Sequence, residues 1–473
     1  MAVRRWTPPP CLILVKNGLK TVRFWEVVAD PRLVALGWLI RVHEGRSVND
    51  LLANSSQSPG SDRHPANQLS PQQKAQAKQI LYGCLRYYHQ LKTIAENLLA
   101  KPFKDKDLDL LLVVVTGLYQ LKYLSTPDHA AISESVELTR KLKKKWASGV
   151  INGVLRRYQR EKDEIEDSLS KSLQFQFSHP GWIIKKLRQD WPSRAEDILS
   201  QNNQHAPMIL RVNTQVISQK DYLSQLTENN YQASPHPVAA DAVVLEKASD
   251  VFSLPLFQSG GVTVQDAAPQ LAVELLQLDE NLRALDACAA PGGKTGHIMQ
   301  RQPNLELTAV ELSPRRAQKI QETLERLYPA QSCHLICADV TEVEDWWDGQ
   351  LYDRILLDVP CSASGVIRRN PDIKIHRKTT DIQPLVEIQS KILDKTWELL
   401  KPGGILVYAT CSVFKQENDA QIAAFTKRNE VEFVSLPNKI EKKLNNEAEF
   451  GYQIFPGEAQ MDGFYLCGLK KPG

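Results

Sequence analysis

Between residues 31 and 165 apolar positions recur at the three- and four-residue spacing of a buried helical face. In "QKAQAKQILYGCLRYYHQLKTIAENLL", Ile80, Leu81, Cys84, Leu85, Tyr88 and Leu91 form one such stripe. Pro102, Pro127 and the polar stretch "NSSQSPGSDRHPANQLSP" (54–71) interrupt it, so several helices are predicted rather than one. The pattern gives a small all-α domain over 28–168, preceded by an unassigned extension at 1–27.

The rhythm then changes. Residues 175–275 combine a helix predicted from Trp182 to Leu199 with the strand-like pieces "MILRVNT" and "AVVLEKA", a small α+β module. Over 276–473 strands and helices alternate: "LRALDA", "GGKTGHIMQ", "LELTAVEL", "SPRRAQKIQETLERLY", "CHLICAD", "YDRILLD", a long helix to Leu400, and "GILVYAT". Such alternation predicts a doubly wound, mostly parallel sheet of the Rossmann-like kind. Ser313 is the expected N-cap of one helix and Pro314 its first residue, with Ala317, Ile320, Leu324 and Leu327 as its buried stripe. The closing "DGFYLCGLKK" reads as an edge strand after the turn "FPGEAQMDG".

Overall charge adds little: 58 basic against 55 acidic residues leave +3 on 473 residues. Local charge adds more. "RKLKKKWASGVINGVLRRYQR" (140–160) holds eight Lys or Arg and no acid, with Trp146 and Tyr158 among them. It fits an RNA-facing surface, but taken alone it fits better a solvated helix face with Val150, Ile151, Val154 and Leu155 packed inward. Eight scattered cysteines without a CxxC pair suit free thiols in a reducing compartment rather than disulfides or a metal site. The apolar run at 108–121 is shorter than the roughly 20 residues of a membrane span, and "CLILV" near the start is too short for a signal segment. A cytoplasmic protein with no membrane partner is expected.

Three segments carry chemistry. In "LDACAAPGGKTGHI" (285–298) a strand enters a turn of small residues, Cys288, Ala289, Ala290, Pro291, Gly292 and Gly293, and then a helix opened by Lys294. A phosphate-binding P-loop requires Gly at position 288, where Cys stands, and the dinucleotide G-x-G-x-x-G is absent as well. Asp286 followed by small residues fits the turn that cradles S-adenosyl-L-methionine. That fit calls for an acid ending the next strand, to meet the ribose hydroxyls, and another after the third strand, near the adenine. Glu311 and Asp339 stand there; taken singly, each also fits a surface carboxylate or an N-cap. "YDRILLDVPCSASGVIRRNPD" (352–372) puts Asp358 and Cys361 at the carboxyl edge of the sheet, and "GGILVYATCSVFKQEN" (403–418) puts Thr410, Cys411 and Ser412 there. Two thiols and a carboxylate converge, and by position alone either thiol can attack.

The segments "DACAAPGGKT", "LLDVPCSASGVIRRNPDIK" and "KPGGILVYATCSVFKQEN" resemble the RNA 5-methylcytosine methyltransferases of the NOL1/NOP2/Sun type. The helical front domain resembles NusB, and with "FQSGGVTVQDAAPQLA" the likeness covers nearly the whole chain. One departure is Glu311, where the family often has Asp; both can clamp a ribose. The resemblance implies S-adenosyl-L-methionine as cofactor and a 16S rRNA substrate, modified before the subunit assembles, with no obligate protein partner. The NusB-like front implies cytosine 967, in conventional rRNA numbering. It assigns attack on the base to Cys411 and release of the adduct to Cys361, and Asp358 is placed to meet ring N3 as well as to line the cofactor site. Lys294 stays open between the cofactor or substrate and a helix-start role. Arg368, Arg369 and Lys374 stay open between phosphate contacts and plain exposure. The alternatives are another rRNA or tRNA cytosine, and a non-catalytic NusB-like RNA-binding factor.

Overall fold

The computed structural model describes residues 30–57, 65–331 and 333–473; the extension 1–27 and residues 58–64 of the polar stretch lie outside them. The chain divides into two compact units between Phe175 and Gln176.

The first unit is helical, with helices Pro31–His43, Val48–Gln57, Pro71–Arg86, Tyr88–Leu98, Leu108–Tyr123, Asp128–Lys141 and Ser148–Leu169. The stripe from Ile80 to Leu91 is buried throughout. It runs over two helices, and the first, Pro71–Arg86, starts with a capping box: Ser70 accepts from the Gln73 N–H, and the Gln73 side chain accepts from the Ser70 N–H. In the basic run, Ile151, Val154 and Leu155 pack inward as expected, but Val150 is exposed. Tyr158 is buried and donates to Glu166 at 2.5 Å, so it is not a surface aromatic. Trp146, 65% exposed, is one.

The second unit holds two sheets. β1 (Met208–Val212), β2 (Ala233–Pro235), β3 (Ala242–Leu245) and β4 (Val262–Val264) form an antiparallel sheet in the order β2-β3-β1-β4. Tyr222 and Leu226 of helix Gln219–Glu228 fill its core. The helix expected from Trp182 to Leu199 is two, Gly181–Asp190 and Ala195–Gln201. Pro192 explains the break, because a residue before proline avoids the helical region.

β5 (Arg283–Ala287), β6 (Glu306–Val310), β7 (His334–Ile336), β8 (Tyr352–Asp358), β9 (Leu400–Thr410), β10 (Glu432–Val434), β11 (Tyr452–Ile454) and β12 (Phe464–Lys470) form the second sheet, ordered β10-β12-β9-β8-β5-β6-β7, with β11 also paired to β12. β5 to β9 are mutually parallel, and β12 runs antiparallel to β9. Alternate residues feed opposite cores: Ala284, Leu356 and Val407 join one, Leu285, Leu357 and Tyr408 the other. The chain winds from β5 outward to β7 and then returns to β8 on the other side. This leaves a crevice at the carboxyl ends of β5 and β8, where open α/β sheets bind ligands.

Two expectations need correction. β12 is no edge strand, since β9 lies on one side and β10 and β11 on the other. Its unbroken apolar run, buried from Phe464 to Leu469, is the mark of a strand covered on both faces. The long helix is Ile382–Glu398, and Leu400 already opens β9.

Candidate active site

The turn after β5 is built for close approach. Cys288 and Gly292 both have positive φ, and Gly292 caps helix Gly293–Arg301. A Cβ on Gly292 would press on Ile320, while its φ of 93° already favours glycine. The second sheet's helix start is braced from the first sheet. Arg211 of β1, fully buried, donates to the Gly293 carbonyl and to Gln265, each at 2.5 Å. Burial pulls its guanidinium down to about 10.

The acids surround this turn. Asp286 is fully buried and accepts from the Thr295 hydroxyl at 2.6 Å, while its Oδ1 has no hydrogen-bond partner among the described residues. Burial pushes its carboxyl up to about 7, against the lowering effect of Thr295. Glu311, just past β6, accepts from the backbone N–H groups of Ala290 and Ser313 at 3.2 and 3.0 Å, so it ties the turn to the next helix start. Asp339 accepts from the Thr341 N–H and hydroxyl, both at 2.9 Å. These features fit a bound S-adenosyl-L-methionine: small residues and a helix N-terminus on one side, carboxylates on the others, and one buried oxygen that lacks a donor.

At the end of β8, Asp358 accepts from Lys294 Nζ at 2.5 Å. Burial opposes charge on Lys294, but the Asp358 carboxylate beside it and Asp286 nearby together outweigh burial and hold the ammonium above its ordinary value. Lys294 Nζ also lies 5.3 Å from the centre of the Phe464 ring.

Cys361 and Cys411 meet with their sulfurs 3.3 Å apart. Cys361 is buried and Cys411 partly so. The hydrogen bond to Cys411, with burial, raises the Cys361 thiol well above its ordinary range. The surrounding backbone is tied down: Arg377 donates to the Cys361 and Ser362 carbonyls at 3.1 and 3.2 Å, and the Gly365 N–H to the Cys411 carbonyl at 2.9 Å. Gly365 and Gly463 touch backbone to backbone, and a Cβ on either would collide with the other. Trp191 donates to the Val413 carbonyl at 2.7 Å, fixing the loop after Cys411 from another side.

The structure thus gathers Asp286, Lys294, Glu311, Asp358, Cys361 and Cys411 at one edge of the sheet. It does not bring Arg368 and Lys374 to the surface as phosphate contacts, and Arg369, which is partly exposed, is already engaged in ion pairs. Arg368 is buried on Asp462 at 2.5 Å, Arg369 pairs with Asp462 and with Asp266 at 2.8 Å, and Lys374 is buried on Asn203 and the Ser178 carbonyl. These cations hold the loop rather than a ligand. Glu417 and Asn418 escaped the sequence reading. Thr410 donates to Asn418 at 2.6 Å, and Asn418 donates to the Ser412 carbonyl at 3.0 Å, so Asn418 bridges the two sides of Cys411. Their signal was a short polar run, "KQEN", soon after a strand-end thiol.

These elements define a Rossmann-like methyltransferase domain that carries a paired-thiol site. The chain belongs to the ribosomal RNA small subunit methyltransferase B family. The family model described as 16S rRNA methyltransferase RsmB/F matches residues 273–470, a ferredoxin-like domain of RsmF/B-like methyltransferases matches 179–252, and the NusB family matches 29–160. Ribosomal RNA small subunit methyltransferase B of Vibrio cholerae is 42% identical over 405 residues, covering 85% of this chain and 91% of that protein. The probable counterpart in Coxiella burnetii is 43% identical over 413 residues, covering 85% and 94%. Among solved structures, a methyltransferase homolog protein from Pyrococcus horikoshii is 26% identical with a TM-score of 0.54, covering 63% of this chain and 97% of its own.

Proposed function

We propose that the protein methylates C5 of a cytosine in 16S rRNA, cytosine 967, using S-adenosyl-L-methionine and a covalent bond between Cys411 and C6 of the base. The 3.3 Å approach of two thiols beside the Lys294–Asp358 pair carries this reading. Family membership supports the rRNA substrate, and the cradle of Cys288 to Lys294 with Glu311 and Asp339 supports the cofactor. When bound, the cofactor supplies an electrophilic methyl group.

Cytosine C5 is a poor nucleophile until C6 is saturated, and a thiolate adding at C6 turns the ring into an enamine. Cys411 makes that bond. Negative charge then grows at N3; Asp358 meets the ring there and passes it the proton that the Lys294 ammonium supplies, and this proton returns to Lys294 once the adduct has broken. After methylation the C5 proton leaves to a base, the C6–S bond breaks, and its electron pair returns to Cys411. Cys361, whose raised value keeps its proton on sulfur, donates a hydrogen bond to the departing thiolate.

Reaching C6 requires a flipped or unpaired cytosine. The first unit offers an RNA surface: Lys143, Lys145, Trp146, Arg156, Arg157 and Arg160 are all exposed. Bisulfite sequencing of 16S rRNA from cells lacking the protein tests the substrate. Loss of methylation at cytosine 967, restored by the intact gene and not by Cys411→Ser, is the expected result; an unchanged position 967 overturns it.

A further inference from the structure

Behind the two thiols lies a charged group to which the chemistry above gives no role. Glu417 is completely buried. Its carboxylate accepts from four donors: the Ser362 N–H at 2.8 Å, the Ser362 hydroxyl at 2.5 Å, the Ser412 hydroxyl at 2.6 Å and the Gln389 amide at 3.1 Å. Ser362 follows Cys361 and Ser412 follows Cys411, so a single carboxylate grips both Cys-Ser segments one residue beyond each thiol. The grip is closed on its other sides. Ser364 Oγ lies 3.2 and 3.0 Å from the Ser362 and Ser412 hydroxyls and accepts from the Val413 N–H, while Ser412 Oγ accepts from the Phe414 N–H. Gln389 also donates to the Pro360 carbonyl at 2.9 Å, which anchors the residue before Cys361.

A buried carboxylate is costly unless its lone pairs are met, and this one is met almost wholly by donors from the two thiol loops. No apolar residue could substitute, because the hydroxyls and the Ser362 N–H would then be buried without an acceptor. The loops come from different strands, β8 and β9, and the sheet itself fixes neither loop's tip.

We infer that Glu417 is a positioning residue of the covalent cycle: its carboxylate clamps Ser362 and Ser412 and so sets Cys361 against Cys411. The inference rests on the two-thiol reading above. It separates Glu417 from a general stabiliser, because loosening the clamp alters the sulfur-to-sulfur distance and therefore adduct release, the step that needs both thiols.

The test uses the full-length protein with Glu417→Gln, which keeps the shape but sets an amide N–H₂ against donors, and with the double variant Ser362→Ala/Ser412→Ala, which removes the hydroxyls and leaves the charge. Two readouts are taken. Phenylarsine oxide binds two thiols held close together, with loss of water, and reports their spacing without RNA; Cys361→Ala and Cys411→Ala give the background. Release of the RNA adduct is followed on denaturing gels. We expect each variant to bind the arsenical at least about tenfold more weakly and to accumulate adduct as Cys361→Ala does. Wild-type arsenical affinity and release in a folded variant overturns the inference. If Glu417→Gln does not fold, the serine double variant decides by the same two outcomes. Should wild-type enzyme form no adduct while the arsenical affinity still falls, the clamp stands and the covalent reading fails.

Discussion

Lys294, in the first turn of the helix after the cofactor cradle, and Asp358, the last residue of β8, form an ion pair 2.5 Å long across the crevice between neighbouring strands. The pair joins the cofactor side of the site to the thiol side. Lys294→Met leaves the helix start intact, since its capping residue is Gly292, but removes the proposed proton source for N3. We expect the single-turnover rate of adduct formation to fall by about two orders of magnitude with little change in melting temperature. A Lys294 that served only the helix start would give the reverse, lower stability and an ordinary rate.

The thiols should divide the cycle between them. Cys411→Ser abolishes both methylation and capture of RNA, because a hydroxyl does not add to C6. Cys361→Ala still forms the adduct but releases it on the order of a hundredfold more slowly, so enzyme and RNA run together on a denaturing gel. Capture by Cys411→Ser would exchange the two assignments.

Much of this site was legible from strand ends alone. Asp286, Glu311, Cys361 and Cys411 each close a strand or follow one within a few residues, and a parallel sheet carries all such ends to one edge. What lay beyond reach depended on how loops fold back. Glu417 sits in a polar run that reads as surface, and only the return of the chain between β9 and helix Asp419–Thr426 buries it. Arg368 likewise stood open between a phosphate contact and plain exposure, because its partner Asp462 is 94 residues away. The place of β12 was different, for its unbroken apolar run held the answer and the position late in the chain obscured it.

The buried pair of Arg368 and Asp462 gives a prediction that separates structure from RNA contact. Removing one partner of a buried ion pair costs about 3–5 kcal/mol, so Arg368→Ala should lower the melting temperature markedly. Whatever RNA affinity remains in the folded fraction should keep the wild-type dependence on salt. A phosphate contact would instead leave stability alone and reduce the salt slope by about one. Melting curves and binding isotherms at several salt concentrations distinguish the two.

Asp286 should give the second unit a pH-dependent stability with a definite sign. Its carboxyl is raised by burial from 3.8 to about 7 in the folded protein. Between these values the native chain holds a proton that the unfolded chain has lost, so unfolding releases a proton and stability falls as pH rises from about 4 to about 7. Below that window both states are protonated, and above it neither is, so the contribution is flat on either side. The effect of this single group is on the order of 4 kcal/mol across the window. Asp286→Asn keeps the shape and an acceptor for Thr295 but cannot ionise, and should cancel this part of the slope. Other groups titrate in the same range, Asp266 among them, its carboxyl raised by burial and by the Asp462 carboxylate beside it, so the informative quantity is the difference between wild type and variant. Thermal melting of both proteins at intervals from pH 4.5 to 8 measures it, with wild type expected to lose ground to Asp286→Asn as pH rises. A difference that does not change with pH would mean that Asp286 is ionised in the folded protein throughout, and that its unpartnered Oδ1 carries a charge the site tolerates.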